Sequence, residues 1–93
     1  MPRPKLRRRI RGKPSSDYFK PAGIPLKKLK EIKLEMQEFE AVRLVDFKKI
    51  PQEIASKQME ISQPTFSRIL KIAREKIAEA IVAGKAIKID KLK

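Results

Sequence analysis

The chain has 93 residues, which is room for one small domain. It contains neither Cys nor His, so disulfides and Cys or His metal sites are excluded, and we expect no metal and no cofactor. No apolar run is long enough for a membrane span or for the core of a signal peptide. We therefore expect a cytoplasmic protein with no membrane partner.

Positive charge dominates the chain, with 24 Lys and Arg against 11 Asp and Glu and a formal net charge of +13. Residues 1–33 hold 12 basic and two acidic side chains, whereas the other 60 residues hold 12 and nine. A nearly balanced part joined to a cationic end favours a polyanionic partner, of which nucleic acid is the first choice. An anionic membrane surface is a weaker alternative, because the cationic end lacks the apolar face of an interfacial helix.

Residues 1–17 are predicted to form a basic flexible arm. Residues 1–14 contain three prolines, one glycine and seven basic side chains without an acid, and such a segment cannot build a core. The tetrapeptide Arg11-Gly12-Lys13-Pro14 is similar to the Arg-Gly-Arg-Pro core of AT-hooks, in which glycine lets the backbone enter a narrow minor groove. Contacts to phosphates that read no sequence are the alternative. The cations of the arm are Arg3, Lys5, Arg7, Arg8, Arg9, Arg11 and Lys13.

Residues 18–93 are predicted to form one mainly α-helical domain. Residues 18–25 are expected to be a compact loop that Tyr18 and Phe19 anchor over the core. Residues 29–34 alternate apolar and charged side chains, as in a short strand or a turn leading into a helix. Three helices follow, over about 37–47, 51–58 and 62–83, and Gly84 ends the last one. Residues 85–89, within the segment GKAIKI, predict a second short strand that pairs with residues 7–10 or with residues 31–34.

The second and third helices have the pattern of a helix-turn-helix. Ile54, Ala55 and Met59 are spaced as one apolar face of the second helix. Ser62 is a good N-cap for the third helix, and Pro64 is tolerated in its first turn. Ordinary packing of two antiparallel helices gives the same spacing and is the alternative, but the net charge favours DNA recognition. The inward stripe of the third helix is predicted to comprise Phe66, Ile69, Leu70, Ala73 and Ile77.

The opposite arc of the third helix carries polar and basic side chains that suit DNA. The candidates for contacts to base edges are Gln63, Ser67 and Arg68. Arg68 is the strongest of the three, because Arg bound to guanine is the commonest specific contact. A phosphate contact or a surface salt bridge is the alternative role of Arg68. The candidates for contacts to the DNA backbone are Ser62, Thr65, Lys71 and Arg74.

Five segments of the chain resemble a known family. MPRPK with RRR, YFKPAGIPL, FEAVRL, PTFSRIL and GKAIKI occur in the same order and at matching spacing in a family of small uncharacterised prokaryotic proteins. That family is described as predicted DNA-binding, with a helix-turn-helix similar to the promoter-reading C-terminal domain of sigma factors. The resemblance covers nearly the whole chain. It implies a three-helix, sigma-factor-like domain and DNA binding, and it says little about targets.

The sequence departs from that family pattern at four positions near helix ends. Glu60 stands where the family has Gly, which costs about 1 kcal/mol if the φ angle is positive there. Gln63 replaces Arg, and because Gln pairs with adenine whereas Arg prefers guanine, we expect a different target. Gln37 and Pro51 replace Asp and Ser, so two helix N-caps are expected to be weaker.

These observations predict a sequence-specific DNA-binding protein that regulates transcription. Its partner would be double-stranded DNA, read in the major groove by the third helix, with the arm on phosphates or in the minor groove. The alternatives are an RNA-binding or architectural nucleic-acid-binding protein and an adaptor that contacts RNA polymerase. We expect no enzyme, because no nucleophile–base pair, Gly-rich phosphate loop or metal cluster can be named.

A homodimer is expected, because a single helix-turn-helix buries little DNA surface and most such proteins bind paired half-sites. The apolar end of the third helix is the predicted dimer surface. The alternative is that this end packs on the first helix and the N-terminal loop. The residues concerned are Ile77, Ala80, Ile81, Val82 and Ile87.

Overall fold

A computed structural model of the chain describes residues 9–90. These residues form three helices and a three-stranded sheet, so the predicted mainly helical domain with two short strands is confirmed at that level. The predicted strands are present, each displaced by one or two residues. The strands are β1 (Tyr18–Phe19), β2 (Glu31–Glu35) and β3 (Ala86–Asp90), and the helices are α1 (Met36–Val42), α2 (Gln52–Gln58) and α3 (Gln63–Ala83). Leu26–Lys28 form a 3-10 turn, and Arg43–Phe47 continue α1 as a π-helical turn.

The ends of the helices follow from local residue chemistry. Ser62 caps α3, and Gly84 ends it with a left-handed φ of 69°, as predicted. Pro51 precedes α2 and offers no side-chain cap, which confirms the expected weak N-cap. The expectation for Gln37 is wrong, because α1 starts one residue earlier and its N-cap is Glu35. The Glu35 N–H donates to the Glu38 carboxylate over 2.9 Å, so this helix end is stabilised from within.

The sheet joins the two predicted strands and adds a third. Its order is β1-β3-β2, with β2 parallel and β1 antiparallel to β3. The predicted pairing with residues 31–34 is confirmed, and Leu34 lies opposite Ile89. The other candidate partner, residues 7–10, does not pair where it is described: Arg9 and Ile10 lie in no strand, and residues 7 and 8 are outside the described part.

β1 was not expected, because two residues carry no periodicity. The prediction that Tyr18 and Phe19 anchor a loop over the core is wrong for Phe19, which is 53% exposed. Tyr18 is half-buried, and its hydroxyl donates to the Glu31 carboxylate over 2.7 Å. These two residues therefore join sheet strands rather than cover the core.

The core consists of two apolar clusters on opposite sides of α3. Val42 packs against both clusters. The inward stripe predicted for α3 is confirmed, with Ile77 half-buried and its other members buried. Ile54 is 48% exposed, contrary to its predicted place on the apolar face of α2. The helical cluster contains Ala41, Leu44, Ala55, Met59, Phe66, Ile69 and Leu70, and the sheet-side cluster contains Leu34, Met36, Ala73 and Ile89.

Candidate nucleic-acid interface

A short connection orients α3 relative to α2. The Glu60 N–H donates to the Lys57 carbonyl over 3.0 Å, and the Ile61 N–H donates to the Ser56 carbonyl over 3.1 Å. Glu60 has a φ of 60°, in the left-handed region, at the position where the family pattern has Gly. Ile61 packs against the helical cluster. Two hydrogen bonds and a buried apolar contact thus fix the turn.

The hydroxyls of Ser62 and Thr65 form the cap of α3. The Thr65 N–H donates to Ser62 Oγ over 3.3 Å, and Ser62 Oγ donates to Thr65 Oγ1 over 2.9 Å. Both residues were predicted to contact the DNA backbone. Each hydroxyl already has a partner, but an oxygen with two lone pairs can also accept or donate toward solvent.

The three residues predicted to contact bases lie together on the exposed arc of α3. Gln63 is the first residue of the helix, and Ser67 and Arg68 follow one turn later. All three are exposed. Within residues 9–90, their side chains have no hydrogen-bonding or ion-pair partner. This arc is therefore available to a ligand while the opposite arc holds the core.

The two basic backbone candidates further along α3 are engaged with carboxylates. Lys71 lies 3.9 Å from Glu75, an exposed pair on one helix face. Arg74 donates from Nη2 and Nε to Asp46 over 2.6 and 3.1 Å. These hydrogen bonds hold the pKa of the Asp46 carboxyl below its usual range and raise the pKa of Arg74. Arg74 is thus pre-oriented by an acid on the π-helical turn.

A shallow depression of about 350 Å³ follows the same face of α3. Ser67, Lys71 and Arg74 line it from α3, and Gln52 lines it from the start of α2. Gln52 was not predicted as a site residue, because nothing in the spacing of α2 separates it from an ordinary first-turn residue. Its position after the uncapped start of α2 was the available signal.

The described part of the basic arm lies against the folded domain. The backbone N–H groups of Arg11 and Gly12 donate to the carboxylate of Glu40 over 3.2 and 3.1 Å. Arg43 donates to the same carboxylate over 2.8 and 2.9 Å. Glu40 was not predicted as a site residue. Its position between apolar neighbours on a helix was the signal that it is buried. Arg3, Lys5, Arg7 and Arg8 lie outside the described residues.

The hydrogen bonds to Glu40 determine its charge state. Burial alone raises the pKa of this carboxyl, but the hydrogen bonds from Arg43, Arg11 and Gly12 outweigh burial and the net pKa is below its usual range. Glu40 is therefore an ionised, buried acceptor at neutral pH.

The predicted dimer surface is divided between the core and the solvent. Ala80 is buried, and Ile77 and Ile87 are half-buried. Ile81 and Val82 are 75% and 86% exposed. The packing alternative thus accounts for part of this apolar set, and the dimer itself stays a prediction.

Two further kinds of feature are absent from residues 9–90. No helix there is both long and apolar enough to cross a membrane. The same residues bring together no group of three or more carboxylates that could hold a metal ion.

Comparison with known proteins identifies the family. The profile described as "Protein of unknown function DUF134" matches residues 1–91. A UPF0251 protein of Caldanaerobacter subterraneus subsp. tengcongensis is 49% identical over 90 residues, which is 97% of this chain and 76% of the relative. UPF0251 proteins of Dehalococcoides mccartyi and Halothermothrix orenii are 50% and 48% identical over 90 residues, which is 77% and 67% of their lengths and 97% of this chain. No solved structure matches the chain. The chain therefore belongs to the DUF134 family, whose members are named UPF0251 proteins.

Proposed function

We propose that this protein binds specific DNA sequences and regulates transcription. In this proposal α2, the fixed turn and α3 form a helix-turn-helix, and the N-terminal half of α3 enters the major groove. The observation that carries the proposal is the exposed arc of Gln63, Ser67 and Arg68, whose side chains have no partner within residues 9–90. A capped helix with a buried opposite face presents these groups to a partner.

The chemistry of the arc matches base edges. A helix with its side chains is about 10–12 Å wide and the major groove is about 12 Å wide, so α3 fits the groove. Arg68 can donate two hydrogen bonds to guanine, and Gln63 can pair with adenine through its amide. Ser67, one turn after Gln63, can donate to or accept from either base. The three side chains could therefore read adjacent base pairs.

Phosphate contacts would fix the position of α3 on the duplex. Lys71 and Arg74 lie on the same side of α3 as Ser67, around the depression that Gln52 also lines. A DNA phosphate would share Arg74 with Asp46 or replace it, because the guanidinium has five donors and Asp46 uses two. These contacts supply affinity without sequence information.

The test is selection of bound sequences from a random duplex pool at near-physiological salt, with the full chain. We expect a defined motif. Arg68→Ala should weaken binding to that motif by roughly 5- to 150-fold, corresponding to ~1–3 kcal/mol, and relax the preference at one position. Lys71→Ala should weaken binding to all sequences alike and reduce the salt slope by about 1.

Lys88→Ala is the matched control, because Lys88 is exposed on β3, the strand that follows the other end of α3. It removes one charge and should leave the motif unchanged. Enrichment of no motif, with binding only at low salt, would contradict sequence-specific recognition and favour an RNA-binding or architectural protein, or an adaptor for RNA polymerase. A palindromic motif would support binding as a homodimer.

A further inference from the structure

The basic segment Arg9–Lys13 has a defined position on the domain that composition alone did not predict. We infer that Glu40 anchors this segment beside the turn before α3, so that the basic arm binds the duplex DNA flanking the site that α3 reads. The inference rests on the proposed function and adds to it a second contact region and the residue that positions it. Glu40 is a positioning residue here, because it acts through the arm.

The anchor is a buried carboxylate with four donors. The side chain of Glu40 is 2% exposed. Two of the donors are backbone N–H groups of Arg11 and Gly12, and the other two belong to Arg43. Because the arm is held through its backbone, the side chains of Arg11 and Lys13 stay exposed and available to an anion.

Gly12 is required for this contact. A Cβ atom at position 12 would lie 2.7 Å from Oε1 of Glu40 and would overlap Nε and Cδ of Arg43. Any other residue would therefore push the arm away from its anchor. The AT-hook resemblance gives the same glycine a role in the minor groove, but the folded domain already accounts for it.

The arm leads from Glu40 to the turn that precedes α3. The Arg9 N–H donates to the Met59 carbonyl over 3.0 Å, and Arg9 Nε donates to Glu60 over 3.3 Å. Met59 and Glu60 come directly before Ile61 and the cap residue Ser62. The contact points of the arm therefore end near the N-terminus of α3, where the base-reading arc begins.

The chain that precedes Arg9 is thus attached next to the proposed DNA site. Eight residues span at most about 29 Å when fully extended, which corresponds to about eight base pairs at ~3.4 Å each. Four of them are basic and none is acidic. Cations without acids and without apolar bulk fit the phosphate-lined groove of a DNA flank better than a protein surface.

The experiment compares two duplexes that contain the motif selected by the full chain. The short duplex ends at the motif, and the long duplex adds about eight base pairs on each side. The wild-type chain should bind the long duplex more tightly, with a log–log salt slope steeper by up to ~3.6 if all four cations meet phosphates. Gly12→Ala and Glu40→Gln should lose most of that difference and keep binding to the short duplex.

Ser15→Ala is the control within the arm, because Ser15 is exposed and has no partner within residues 9–90. It should behave as the wild type. The backbone amide signals of Arg11 and Gly12 in NMR spectra give an independent readout. They should be slow to exchange with water in the wild type and fast in Gly12→Ala, while the amides of α3 stay protected.

A second background separates positioning from a general loss of stability. In a full chain with Arg3, Lys5, Arg7 and Arg8 all changed to Gln, Glu40→Gln should have little further effect on affinity for the long duplex. An equal loss in both backgrounds would show that Glu40 only stabilises the domain and would overturn the inference.

The remaining outcomes distinguish the two proposals. If the wild type binds the selected motif but shows the same affinity and salt slope on both duplexes, the anchored-arm inference is wrong and the proposed function stands. If the wild type selects no motif, the proposed function is wrong and the inference is rejected with it.

Discussion

Within residues 9–90, two residues other than glycine adopt a left-handed backbone, Glu60 with φ 60° and Lys49 with φ 63°. In this conformation the Cβ atom crowds the following carbonyl oxygen, at a cost of ~1–2 kcal/mol. Each lies just before the next helix and so contributes to the direction in which the chain leaves. The conditional cost that the family comparison attached to Glu60 therefore applies, since its φ is positive.

Replacing Glu60 with Gly should stabilise the domain by about 1 kcal/mol. The gain from relieved backbone strain is reduced by the loss of the Arg9–Glu60 ion pair, whose side chains are half exposed and which contributes ~0–1 kcal/mol. The midpoint of urea unfolding, followed at neutral pH, measures the change.

Lys49→Gly is the matched variant, because it relieves the same conformation at a residue for which no ion pair occurs within residues 9–90. It should stabilise the domain at least as much as Glu60→Gly. A lower midpoint for both variants would contradict the argument from backbone strain.

At the scale of elements, α3 depends on its first turn. Ser62 satisfies the Thr65 N–H, one of the donors that a helix leaves unpaired at its start. Ser62→Ala should therefore destabilise the domain by about 1 kcal/mol. Ser67→Ala makes the same chemical change on the exposed arc and should change the free energy of unfolding by less than ~0.5 kcal/mol. Thermal unfolding without DNA measures both, and equal effects would argue against the cap.

Periodic elements could be predicted from the sequence, and the elements set by contacts distant in sequence could not. The stripe of α3 and the cap at Ser62 are local patterns, and both are present. The two residues of β1 acquire strand geometry only because β3 lies beside them. Glu35 became the N-cap of α1 although Gln37 was the position expected from the family, because the Glu38 carboxylate reaches back to it.

The candidate site shows the same division. The exposed arc of Gln63, Ser67 and Arg68 is periodic, and its exposure could be predicted from the sequence. The pairs Arg74–Asp46 and Arg11–Glu40 join residues that are 28 and 29 positions apart. Charge composition cannot reveal such pairs, because any acid could serve any base until the fold brings them together.

At the scale of the whole molecule, the two apolar clusters are joined through Val42 and α3. A domain connected in this way should unfold in one step. The single tyrosine, Tyr18 on β1, reports on the sheet by fluorescence, and circular dichroism reports on the helices. The urea midpoints from the two signals should coincide.

Ile89→Ala strengthens that test, because Ile89 is buried in the sheet-side cluster. The change should cost about 2–5 kcal/mol, as for other large-to-small changes in a core, and should lower both midpoints together. A shift confined to the tyrosine signal would show that the sheet and the helices unfold separately.

The parallel pairing of β2 with β3 has a consequence during synthesis. Glu31 lies opposite Ala86, so the strand that completes the sheet leaves the ribosome after all three helices. Until then Leu34 lacks its neighbour Ile89, and the C-terminal end of α3 is not yet tied to the sheet. A nascent chain that stalls before residue 86 therefore carries the whole exposed arc of α3 on a domain without its last strand. Such a chain is a substrate for cellular proteases and chaperones rather than a stable protein.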